Sequence, residues 1–93
     1  MASVSKAFVH NPDIAWRVID EEAVLLAIES TTYYSLDPVG TFIWKGFEKT
    51  TTRDEALSRV VEAYEVDEAT AAKDLDELLG DLVSEKLLVE SGA

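Results

Sequence analysis

Apolar and polar positions change their period once along this chain, and the change falls near residue 37. Ile14, Trp16 and Val18 alternate with Ala15, Arg17 and Ile19, the period of a strand with one face more apolar than the other. Asp20-Glu21-Glu22 reads as a polar turn, and residues 23–28 form a continuous apolar run of strand length. After the connection Glu29-Ser30-Thr31, residues 32–36 (Thr, Tyr, Tyr, Ser, Leu) carry the β-branched and aromatic types that suit a pleated, half-buried surface. Short connections between consecutive strands imply antiparallel neighbours, so this half predicts a three-stranded meander with the last strand at an edge.

From Asp37 the pattern becomes helical. Asp37 offers an oxygen to free amides and Pro38 suits the first helical position, where its missing N–H costs nothing. Val39, Ile43 and Phe47 recur at helical spacing, with Phe42 and Trp44 widening the stripe, and the helix ends by Lys49. Thr52-Arg53-Asp54-Glu55 has the capping-box spacing, opening a second helix whose apolar face is Ala56, Leu57, Val60, Val61 and Tyr64. Asp67 caps a third and longest helix, with Ala71, Leu75, Leu78, Leu79 and Leu82 as its main stripe and Ala72, Leu79 and Val83 on an adjoining strip. Gly80 inside it either permits a close approach or is merely tolerated, at about 1 kcal/mol against Ala. Residues 87–89 close the domain and residues 90–93 fray. Residues 1–13 have no sustained period and read as an arm, ordered at most near Phe8 and Val9. This gives an α+β, winged-helix-like fold, a three-stranded antiparallel sheet followed by three helices, in one domain over residues 14–90.

Composition narrows what such a domain does. The chain has 93 residues, 47% of them hydrophobic, enough for one core and against a disordered chain. It has no cysteine, hence no disulfide framework and no thiolate chemistry. No basic segment followed by an apolar run opens the chain, and no stretch approaches the ~20 apolar residues of a membrane span, so the expectation is a cytoplasmic protein that does not engage membranes. The formal net charge is −11. Two basic and five acidic residues precede Asp37, and six basic and fourteen acidic residues lie from Asp37 onward, so the helical half carries most of the excess.

That charge bears on the topology, because strands followed by a helix-turn-helix pair raise DNA binding as an alternative function. The helix that would enter the major groove begins Asp67-Glu68 and contains Asp74, Asp76, Glu77, Asp81 and Glu85 against Lys73 and Lys86, a surface that repels phosphate. Catalysis is not expected either. The carboxylates sit at spacings of solvated helix faces, and none pairs with a Cys, His or recognisable Ser nucleophile. His10, the only histidine, reads as a surface residue in a loop, since a metal site needs several convergent ligands and none is spaced near it. Tyr33 and Tyr34 point to opposite faces of their strand and cannot jointly line one wall. No cofactor or metal is expected. What remains is an interaction module using the open edge of the third strand, where free N–H and C=O groups can pair with an extended peptide and the third helix can form the other wall. The alternative is an edge that is simply covered.

Tyr33-Tyr34-Ser35-Leu36-Asp37, then Gly40, Ile43 and Trp44, the capped Thr52-Arg53-Asp54-Glu55-Ala56 helix, Tyr64-Glu65-Val66-Asp67, and Asp74-Leu75 with Leu78-Leu79, Leu82 and Leu87-Leu88 together resemble the PqqD-like family. This family comprises the peptide chaperone of pyrroloquinoline quinone biosynthesis and related RiPP recognition elements. The resemblance covers residues 14–89. It implies a non-catalytic adaptor that binds the leader segment of a ribosomally synthesised precursor peptide by strand addition. The adaptor then presents the precursor to a maturation enzyme, a radical SAM protein, leader peptidase or cyclase. Carried onto this chain, it places the leader beside Thr32, Tyr33, Tyr34, Ser35 and Leu36, with Asp76, Leu79 and Val83 as the expected helix wall. Where this chain has Asp37 the family often has Asn, which keeps the cap and changes the local charge. The acidic third helix favours a leader with basic residues.

Overall fold

A computed structural model describes residues 6–91. The chain runs β1(Ala7–His10), β2(Ile14–Ile19), β3(Glu22–Ala27), β4(Thr32–Ser35), α1(Pro38–Gly46), β5(Thr51–Thr52), α2(Arg53–Tyr64), α3(Glu68–Ser84) and β6(Leu88–Ser91). The fold is α+β, and its strands make two antiparallel sheets, β2-β3-β4 and β5-β1-β6.

The first sheet is the meander expected from the pattern. Asp20 and Glu21 both take positive φ, 50° and 66°, the left-handed pair that closes a two-residue hairpin with the strands' own twist. β4 follows through a turn in which Thr31 is also left-handed, and among the described residues it pairs only with β3. Its ladder ends at Leu36, whose N–H donates to the Ala23 carbonyl at 2.9 Å. There a helix residue takes over. The buried Thr41 hydroxyl accepts from the Ala23 N–H at 2.7 Å and donates to the Leu36 carbonyl at 3.3 Å, so the last inward groups of the pair are satisfied where the chain turns into α1.

The helix caps follow the residues expected to make them. Asp37 accepts from the Gly40 N–H at 2.7 Å, with Pro38 opening α1. A side chain at Gly40 would put its Cβ 3.1 Å from Asp37 Oδ1, so the small residue lets the cap close. Thr52 and Glu55 form the reciprocal capping box of α2, and Asp67 accepts from the Thr70 N–H at the start of α3. Around Gly80 there is open space, so no neighbour approaches closely there.

The second sheet was not expected. Phe8 and its neighbours, read as part of an arm, form the central strand β1, paired along its length with β6 and at Ala7 and Phe8 with β5. Glu90 and Ser91, expected to fray, lie in β6; residues 1–5 and 92–93 lie outside the described residues. Burial drives this closure. Leu87 and Leu88 are almost fully buried, and Phe8 meets Phe47 edge to face at 6.3 Å between ring centroids. The core beneath both sheets centres on Trp44, Phe47, Leu25, Leu75 and Leu82.

His10 is the clearest departure from the sequence reading. It is a half-buried strand residue, not a surface loop residue. Its ring stacks on Trp44 (3.7 Å between centroids, 10° between planes) and meets Trp16 edge-on at 5.3 Å. Its Nε2–H donates to the Trp44 carbonyl at 2.7 Å, and its backbone N–H to the Phe47 carbonyl at 3.1 Å. Burial holds its pKa below the ordinary imidazole value, against the opposing pull of the Trp44 carbonyl and of Glu48. The ring therefore clasps the end of α1 between the two sheets, a structural role.

Candidate functional site

Hydrogen-bond direction alternates along a strand, so the bond from Leu36 to Ala23 fixes which groups of β4 are used. Thr32 and Tyr34 direct their backbone groups at β3, and Tyr33 and Ser35 direct theirs away from the sheet. Two residues' worth of N–H and C=O thus line an edge with no strand beside it among the described residues. The side chains alternate across the other axis. Tyr33 is 67% exposed, whereas Tyr34 packs against the core and its hydroxyl donates to Glu85 Oε1 of the turn after α3 at 2.7 Å. That carboxylate, as acceptor, pushes the Tyr34 pKa above the usual phenol value.

At the C-terminal end of this edge lies a groove of about 330 Å³ between the β4–α1 corner and α3. Ser35, Leu36 and Asp37 with Gly40 form one wall, Asp74 and Leu78 the other. Tyr34–Glu85 ties the two elements together farther along. Leu36 and Leu78 supply apolar surface, and Asp37, Asp74 and Glu85 make the surroundings anionic. The site has a backbone to pair with, an apolar floor and negative charge at its rim, which suits an extended peptide carrying an apolar and a basic side chain.

The structure brings Ser35 and Leu36 to this groove, with Thr32, Tyr33 and Tyr34 preceding them on the same edge strand. It does not bring Asp76, Leu79 and Val83 there. At 100° per residue, Asp74, Leu78 and Glu85 lie on one side of the buried Ala71-Leu75-Leu79-Leu82 stripe, and Asp76 and Val83 on the other. Leu79 is itself core, 6% exposed. Asp76 and Val83 face a separate groove of about 710 Å³ beside Phe8. Asp76 is held there by a two-pronged pair with Arg53, both bonds 2.9 Å, which lowers its pKa and raises that of Arg53. The helix wall of the β4 groove is therefore Asp74 and Leu78, with Glu85 on the same flank just past the end of α3. The helical pattern marks both flanks equally, and only the packing of α3 decides which one meets β4.

Among the described residues no group of three His, Cys, Asp or Glu is arranged to hold a metal, and no helix is long and apolar enough to cross a membrane. The exposed face of α3 is acidic, and nothing in the geometry supports the DNA-binding alternative.

Among solved structures the chain is similar to TbiB1 in complex with the TbiA(beta) leader peptide, with a TM-score of 0.82 and 30% identity over 91% of this chain and 99% of that one. It also shares its fold with a lasso peptide synthetase B1 complexed with the leader peptide, at a TM-score of 0.77 and 22% identity over 88% of this chain and 96% of that one. A search among curated proteins finds no significant match. The family model described as coenzyme PQQ synthesis protein D matches residues 22–88. That span takes in β3, the β4 edge and all three helices, and the chain belongs to the PqqD family.

Proposed function

We propose that this protein is a leader-peptide-binding adaptor. It takes up the leader segment of a ribosomally synthesised precursor peptide as an added strand along β4 and presents the precursor to a modifying enzyme. The observation that carries this reading is the β4 edge, where Tyr33 and Ser35 direct backbone groups outward beside an apolar, anionic groove. Membership in the PqqD family and likeness to TbiB1, solved with a leader peptide, support it.

In this reading Thr32, Tyr33, Tyr34, Ser35 and Leu36 contact the leader, and Asp74 and Leu78 form the facing wall, with Glu85 beyond its end. Main-chain pairing at Tyr33 and Ser35 supplies affinity with little dependence on sequence. Selectivity comes from an apolar leader side chain between Leu36 and Leu78 and from a basic one near Asp37, Asp74 or Glu85. In this reading the adaptor presents the precursor without acting on it chemically, and it works in the cytoplasm, where precursors are made.

The test is an NMR titration of the full chain with the precursor leader encoded beside it. Amide shifts are expected at residues 32–36 and at Leu78 and Glu85, with slowed exchange of the Tyr33 and Ser35 amides. Shifts confined to β2, the free edge on the far side of the same sheet, would overturn the reading.

A further inference from the structure

α1 separates two grooves of different character. Asp37 and Gly40 border the acidic groove beside β4, while Phe42 and Lys45 face a second one, about 680 Å³, completed by Val18 of β2 and by Arg59 and Tyr64 of α2. Its centre is apolar and open to solvent. Val18, Phe42 and Tyr64 are 41%, 36% and 39% exposed, and the Phe42 and Tyr64 rings are set edge to face at 5.4 Å. Two aromatic rings held against each other at a surface offer large, rigid contact area with little freedom left to lose.

The rim is cationic. Lys45, Lys49 and Arg59 border this groove, three of the eight basic residues of a chain whose net charge is −11. None of the three is ion-paired among the described residues, whereas Arg53 and Lys6 each have a carboxylate partner. Arg59 donates one Nη1–H to the Gly46 carbonyl at 3.1 Å, which holds its guanidinium over the end of α1 with other N–H groups unused. Glu21 and Glu48 also border the groove, so the local balance is one positive charge. On a strongly anionic protein this is the place where an acidic partner is attracted and oriented instead of repelled.

We infer that the α1–α2 groove docks the enzyme that processes the precursor, through a short acidic segment of that enzyme carrying an aromatic or branched aliphatic anchor. The anchor seats on Val18, Phe42 and Tyr64, and its carboxylates meet Lys45, Lys49 and Arg59. The inference rests on the adaptor reading. An adaptor needs a second surface that stays free while the leader lies along β4, and this groove opens on the other flank of α1.

The experiment uses the full-length chain, the processing enzyme encoded beside it purified without precursor, and a fluorescent leader peptide. Enzyme affinity is measured by calorimetry at about 50 and about 300 mM salt, and leader affinity by anisotropy. The exposed double variant Lys45→Glu/Lys49→Glu is expected to weaken enzyme binding at least tenfold and to remove its salt dependence, with leader affinity within twofold of the parent. Phe42→Ala is expected to cost at least tenfold in enzyme affinity by loss of the anchor seat. Enzyme affinity unchanged in both variants overturns the inference. So does no enzyme binding by the parent chain while leader binding is intact. Sedimentation showing that the charge reversal dissociates a homodimer with enzyme affinity unchanged would assign the groove to a second copy instead. If the parent fails to bind leader yet loses enzyme on charge reversal, the docking surface stands and the leader reading falls.

Discussion

The sheet β2-β3-β4 is made of strands that follow one another in the chain, whereas β5-β1-β6 joins segments from residues 7–10, 51–52 and 88–91. The first needs only two tight turns. The second closes loops of about 40 residues before β5 and about 35 after it, an entropic cost that grows slowly with length and is offset by burying Leu87, Leu88 and the Phe8–Phe47 contact. His10 and Trp44 bind the two sheets together, since Trp16 of β2 packs on both rings. The contrast teaches where binding can occur at low cost. The fold is closed by the distant sheet and by the helices, so β4 can leave its outer backbone groups free without loosening the core.

Breaking the closure should therefore damage stability, and altering the β4 edge should damage binding. The largest effect is expected for Trp44→Ala. This side chain is fully buried where His10, Trp16 and the core converge, and its removal is expected to cost about 3–5 kcal/mol, read as a lower urea midpoint. A cost under about 1 kcal/mol would mean that the two sheets are not coupled through this residue. Next comes Ser35→Pro, which removes an outward N–H and leaves the β3 ladder intact. Leader affinity is expected to fall roughly tenfold, the loss of about one hydrogen bond and of close approach, with the urea midpoint little changed. A midpoint that drops while leader affinity per folded molecule holds would reverse the assignment of the two sheets. Smaller still is the contrast across α3. Leu78→Gln should weaken leader binding several-fold and Val83→Gln should not, because Val83 lies on the flank that faces Phe8. Equal losses would mean that the leader spans both flanks.

How far each region could be read from the residues follows the same divide. Alternation at Ile14, Trp16 and Val18, the polar corner at Asp20, and the caps at Asp37, Thr52 and Asp67 are local signals, and each sits where its spacing puts it. β1 and β6 are four residues each and become strands only when paired with one another, so neither stretch carries a periodic signature long enough to see. His10 follows the same rule: its partners, Trp44 and Trp16, are supplied by a strand pairing that no local pattern announces. The β4 edge was legible as the end of a meander. The helix wall was not, because Asp76 and Val83 differ from Asp74 and Leu78 by the side of one apolar stripe, and that side is set by how α3 rolls against the sheets.

The subtlest way to sharpen the contrast is through pH, because the clasp between the sheets contains a titratable ring and β4 contains no histidine. Burial keeps the folded pKa of His10 below the 6.5 of a free imidazole, so the unfolded chain takes up the proton more readily than the folded one. Its contribution to stability is fully present above pH 6.5 and is lost as pH falls from 6.5 through the lowered folded value. The Trp44 carbonyl and Glu48 oppose the shift, and the ring is only half-buried, which keeps the effect small. Urea midpoints compared at about pH 7.5 and about pH 5.5 should fall more for the parent than for His10→Gln, which can still donate to the Trp44 carbonyl but cannot titrate. Carboxylate titration is common to both proteins, so the difference between the two slopes isolates the ring. Parallel slopes would place His10 outside the clasp. A steeper slope in the parent, with leader affinity equally pH-dependent in both proteins, would keep the effect in the closing sheet and away from β4.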